Sequence, residues 1–139
     1  MKHNSLATSS LVVLSLLLTA AGAFAQSAAR ANVPFAFQVG KAHAPAGTYT
    51  IKRDVGTDIV TIHNVKTGAT VLALVTRQLP SKTTGKLIFH HVGSQYALTE
   101  IWGDAGSPGM GLSVPKRNRE LQVASGPSNA GNTFEIALK

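Results

Sequence analysis

The sequence predicts an all-β fold: an antiparallel β-sandwich or small β-barrel of about seven or eight short strands, following a cleaved leader. Three observations carry this. Short segments alternate apolar and polar residues with a period of two, as half-buried strands do. Glycine, proline, asparagine and serine cluster between those segments at near-regular spacing. No long stretch repeats its apolar residues at helical spacing.

The chain begins with Lys2 and His3, then an apolar run over 11–18, then Ala23-Phe24-Ala25 before Gln26. A basic start, an apolar centre and an A-x-A site describe a secretory signal peptide over 1–25, cut after Ala25. A bilayer span needs about 20 apolar residues, and this run is shorter. Residues 26–32 are small and read as a mobile tail, so a single domain is expected over 33–139. Val33, Phe35, Phe37 and Val39 alternate with Pro34, Ala36 and Gln38 as one strand. In a second strand Tyr49, Ile51 and Arg53 fall on one face, and Thr50 and Lys52 on the other. Ala44-Pro45-Ala46-Gly47 suits a turn joining the two as a hairpin, with Gly47 left-handed.

Residues 58–65 are β-branched and read as a strand, closed by Lys66-Thr67-Gly68, where the glycine can take positive φ. Residues 70–79 are apolar on both faces around Val71, Leu72, Ala73, Leu74 and Val75, which predicts a central strand covered on both sides. Pro80 should end it. Residues 86–92 and 95–102 flank Gly93-Ser94, the dipeptide of a type II′ turn, and form a hairpin. In its second limb Tyr96, Leu98, Glu100 and Trp102 share one face by simple alternation. Residues 103–113 hold four glycines and Pro108 and read as a flexible loop. Over 114–124 Pro115 could open a short helix, while Leu121 and Val123 alternate as a strand; strand is preferred because 133–138 is plainly one and could pair with it.

The pattern Val33-Pro34-Phe35-Ala36-Phe37-Gln38-Val39-Gly40, followed by Pro45-Ala46-Gly47-Thr48-Tyr49-Thr50-Ile51, resembles an uncharacterised family of small secreted bacterial proteins. Lys86-Leu87-Ile88-Phe89-His90, residues 95–102 and residues 115–121 extend the likeness over most of the chain after the leader. The resemblance implies a single exported β domain and carries over no catalytic residue.

Composition narrows the function classes. The 139 residues contain no cysteine, 13 Lys and Arg, 6 Asp and Glu, and a net charge of +7. Disulfides, a thiol nucleophile, Cys-ligated zinc and a lipidated N-terminal cysteine are thereby excluded. Outside the cytoplasm a basic protein meets anionic envelope polymers or other envelope proteins rather than nucleic acid. The charge is spread along the chain, however, and this also fits a role in solubility alone.

Site candidates are few. Adjacent strand residues point to opposite faces, so His90 and His91 cannot readily share a metal, and His43 or His63 would have to help across strands. No G-x-S-x-G elbow or paired-carboxylate spacing marks a catalytic centre, so no catalytic residue, metal or cofactor is expected. Glu100 and Trp102, two apart on one strand, could orient and stack a ligand, or serve as core cap and ion pair. Lys116, Arg117 and Arg119 form the densest basic cluster and could hold anionic groups. The expected function is an exported, non-enzymatic binding or structural module. A barrel carrying an apolar ligand, or a small secreted hydrolase or metal-dependent enzyme, are the alternatives.

Overall fold

The computed structural model describes residues 28–54, 56–92, 94–114, 120 and 133–139. Its strands are β1 (Ala29–Val33), β2 (Phe37–Val39), β3 (Ala42–Ala44), β4 (Gly47–Arg53), β5 (Ile59–Asn64), β6 (Thr70–Pro80), β7 (Lys86–Val92), β8 (Gln95–Trp102), β9 (Pro108–Leu112) and β10 (Thr133–Ala137). The fold is all-β, as the alternation predicts. Ten strands fall among the described residues: residues 29–53 make four of them, not two, and β9 lies in the segment read as a loop.

All ten belong to one sheet. It runs β1-β4-β5-β6-β9-β8 and continues from β8 through β7 to β10. On its other edge β8 is shared: Glu100 and Ile101 pair with β9, whereas Tyr96 and Ala97 pair in parallel with β2, which carries β3 beyond it. No ladder joins β1 to β10 among the described residues. Instead the Arg30 N–H donates to the Lys139 carbonyl at 3.0 Å, and the Lys139 N–H donates to that of Arg30 at 2.9 Å. This reciprocal pair brings β1 against the residues that follow β10, so the open sheet is rolled until these two of its margins meet.

One apolar cluster fills the roll. Val60 and Ile62 of β5 point inward while Ile59, Thr61 and His63 are partly exposed, the period-two burial the pleat imposes. Val33, Phe37, Tyr49, Ile51, Leu87, Phe89, Leu98, Ile101, Met110 and Leu112 complete the same core. Burial of each large side chain contributes roughly 1.5–3 kcal/mol, which sustains a fold without disulfides.

The structure corrects several expectations, each for a local reason. Val33, Phe37 and Val39 are buried and Pro34 is exposed, so the faces were legible, but the strand breaks at residues 34–36 and its halves take different partners. β4 pairs with β1, not with β2. The tight hairpin lies between β2 and β3, where Gly40 has φ +57. Gly47 is not left-handed; a side chain there would meet Asn64 Nδ2 at 3.1 Å. The ladder already includes Ala29, which replaces the predicted mobile tail over 29–32 with strand.

β6 sits mid-sheet, yet it is not covered on both faces: Leu72 and Leu74 are 68% and 73% exposed. It also runs through Pro80, which lies opposite Pro108 across a register break. In β8 a bulge opposite Ile88 and Phe89 pairs them with Glu100 and Leu98, leaving Thr99 as the extra residue. A bulge reverses side-chain parity, so Leu98 and Ile101 both face the core and Leu98 leaves the face of Glu100 and Trp102. The glycine-rich segment contains β9. The signal peptide, Ala23, Ala25, Gln26, the Gly93 turn geometry and nearly all of 115–132 lie outside the described residues. Glu120 alone is described there, and its backbone is helical, against the strand expectation at that position.

Candidate functional site

The two ends of the roll are built from different residues. Every Tyr in the chain and every described Phe gathers at the end where β8 begins. Phe35 stacks on Tyr96 with centroids 4.0 Å apart. Phe37 meets Phe89 edge-on at 5.3 Å and Tyr49 at 5.1 Å, and Phe134 meets Tyr96 at 5.1 Å. Edge-to-face and offset stacking are the favoured arrangements of aromatic rings and add to the area they bury. This end is filled.

The opposite end, five residues further along β8 and so roughly 15 Å away, is not. A cleft of about 320 Å³ opens there. Its floor is apolar, from Ile51, Ile101, Met110 and Leu138, and its rim is polar, from Arg53, Asp104, Ser107 and Lys139. The alternation of β4 explains the rim arginine. Tyr49 and Ile51 face the core, and Arg53, last on the same face, reaches the mouth of the roll. It is half-buried, and it makes no ion pair or side-chain hydrogen bond among the described residues.

Backbone bonds hold the far wall. The Ser107 N–H donates to the Asp104 carbonyl and that of Gly106 to Ser81, both at 3.0 Å. Gly106 has φ +86, a conformation that costs glycine little and other residues more. The Leu138 N–H donates to the Gly85 carbonyl at 2.9 Å, fixing the floor leucine. A small, largely preformed concave site with an apolar floor and few polar groups is the usual form of a ligand pocket.

The predicted site residues fall elsewhere or outside the described residues. Glu100 and Trp102 do come together: the indole Nε1–H donates to Glu100 Oε2 at 2.8 Å. The ring lies over Gly109, where a Cβ would come within 2.6 Å of it. Trp102 thus covers a glycine of β9, and its indole occupies the carboxylate that a ligand was expected to use, in place of a lysine or arginine partner. Neither side chain lines the cleft. Lys116, Arg117 and Arg119 lie outside the described residues. His63 Nδ1 is 2.9 Å from Thr70 Oγ1, and the His91 ring lies 4.7 Å from that of Tyr96. Among the described residues no three His, Asp or Glu side chains converge as a metal site would require. No helix among them is long and apolar enough to cross a membrane.

The cleft residues were missed, although one signal was present. Tyr49-x-Ile51-x-Arg53 places a cation at the end of a buried face, and such a cation has to emerge at the mouth. Asp104 and Lys139 carried no comparable signal. Comparison with family models, with curated proteins and with solved structures finds no match to this chain.

Proposed function

We propose that this protein is an exported, non-enzymatic binding module of the cell envelope or its surroundings, and that the cleft at the Arg53 end is its ligand site. The supporting observation is the contrast between a filled interior and an open end. Phe89, Ile62, Leu87, Leu98, Ile101, Val33 and Val60 are essentially inaccessible, so the middle of the roll is occupied by its own side chains. The cleft lies at the surface, with cationic groups on its rim. A carrier would enclose its cargo in the interior, whereas a module with an exposed site keeps a solid core. Export rests on the leader pattern over 1–25, and work outside the cytoplasm on the resemblance to secreted bacterial proteins.

Thermal melting of the full chain against a panel of short glycans, peptides, amphiphiles and anionic polymers tests this. A ligand at one hundred times its dissociation constant adds about 2.7 kcal/mol, which moves the melting point of a domain this size by several degrees. The expected result is a shift with a small ligand that Ser107→Phe, which narrows the cleft from its rim, abolishes. A panel with no active member, or catalytic turnover of one, would overturn the proposal.

A further inference from the structure

The geometry of the cleft points to its ligand class: a single-chain amphiphile with one carboxylate, the chain lying against Leu138 and Ala29 above a floor of Ile51, Ile101 and Met110 and the carboxylate held by Arg53. This rests on the cleft being the ligand site and goes further by naming what it takes. Three features carry it.

The first is the combination of floor and rim. Ile51, Ile101 and Met110 close the bottom of the cleft with almost no exposed surface of their own, and the partly exposed Leu138 and Ala29 supply the apolar wall that a ligand would touch. Burying apolar surface there favours a hydrocarbon chain over a sugar or a polar peptide, whose hydroxyls or amides would find few partners on that floor.

The second is Arg53. The residue is half-buried, lines the cleft and is not spent on any described carboxylate. The planar fork of arginine matches a carboxylate in a bidentate pair, and such charge-assisted bonds are the stronger ones. The described cation–carboxylate pairs, Arg77–Asp58 and Lys86–Glu135, involve no residue that lines the cleft.

The third is Asp104 on the same rim. Lys139 stands on the rim as well, so two cations against one acid leave it a single net positive charge, which suits a monoanion and disfavours the polymeric anions that the charge of the whole chain suggests. Size sets the chain length. At about 30 Å³ per water-sized volume, a cleft of about 320 Å³ takes on the order of ten heavy atoms. A saturated carboxylate of roughly that length is the fitting probe.

The chain has two methionines, Met1 and Met110, so methyl-labelled methionine in the full chain gives a reporter on the cleft floor with little overlap. Decanoate and decanol would be titrated against the wild type, Arg53→Gln and Arg53→Lys, with each variant's melting point as a control for folding. The expected result is a saturable shift of the Met110 methyl. Decanoate should bind at least about tenfold more tightly than decanol, since a hydrogen bond to a charged group is worth about 1.5–3 kcal/mol. Arg53→Gln should remove that preference by bringing decanoate to the level of decanol, and Arg53→Lys should keep part of it.

Equal binding of the two amphiphiles, or a preference that survives Arg53→Gln, would overturn the carboxylate assignment while leaving the cleft as a ligand site. A Met110 methyl that moves with a peptide or glycan but with neither amphiphile would overturn the ligand class alone. A methyl that moves with no member of the panel would overturn both the class and the proposed site.

Discussion

The two ends of this rolled sheet use the same strands to opposite effect. At one end β4, β7 and β8 supply Tyr49, Phe89 and Tyr96 to an aromatic cluster with its rings in contact. At the other they supply Arg53, Leu87 and Ile101, and β10 gives way to Leu138. Aromatic side chains are large enough to meet across the roll. Aliphatic ones, interspersed with glycine at 85 and 103, leave the opening between Ile51, Ile101 and Leu138. Stability is thus expected to concentrate at the aromatic end, and recognition at the aliphatic one.

The largest expected effect lies at the aromatic end. Phe37 is buried between Tyr49 and Phe89, and Phe37→Asp would place an unpaired charge there. No cooperative melting transition is expected for that variant; an unchanged melt would break the contrast outright. Phe89→Ala, which leaves a cavity without a charge, should cost about 3–5 kcal/mol in urea unfolding.

A smaller loss is expected at Gly109, outside the core. A Cβ at this position would stand 2.6 Å from the Trp102 ring, so Gly109→Ala forces the indole aside and costs about 1–3 kcal/mol by overpacking. Loss of the Glu100 hydrogen bond should then shift the fluorescence of the single tryptophan to the red.

Asn64→Ala should cost about 1–2 kcal/mol. Its buried side chain accepts the N–H groups of Lys66 and Thr67, both at 2.9 Å, and amide exchange over 66–69 should quicken first. At the aliphatic end Arg53→Gln should change stability by no more than about 0.5 kcal/mol, because no described partner is lost. A loss at Arg53 as large as that at Phe89 would mean that both ends are structural.

Much of the fold was legible because burial follows the pleat. Val60 and Ile62, Phe37 and Val39, and the β7–β8 hairpin all obey a period of two that the residues display directly. The failures share a cause: alternation says which face a residue takes, but not which strand lies beside it. β2 and β4 look like a hairpin, yet β4 pairs with β1, whose small residues Ala29 and Ala31 gave little sign of strand. Thr99 supplies a bulge that no residue type announces, and it moved Leu98 to the core.

Glycine was misleading in two directions. Gly109 and Gly111 make β9 look like a loop, although they are glycine because Trp102 and the Gln78 side chain lie across them. β6 misled through its leucines, since apolar residues on both faces do not guarantee cover on both. The candidate site was less legible still. Arg53 could be placed from its face, but Leu138 and Lys139 reach the cleft through the contact marked by the Arg30–Lys139 backbone pair, and Asp104 sits in an irregular segment that follows β8.

The division of labour between the ends is tested most directly by mapping amide shifts in ¹⁵N-labelled protein during titration with decanoate. The changes should centre on Arg53, Gly85, Gly103, Ser107 and Leu138 and should leave Phe35, Tyr96 and Phe134 in place. Changes centred on those three aromatic residues, or on the exposed Leu72 and Leu74 of β6, would contradict it and move the binding surface to the other end or to the outside of the sheet.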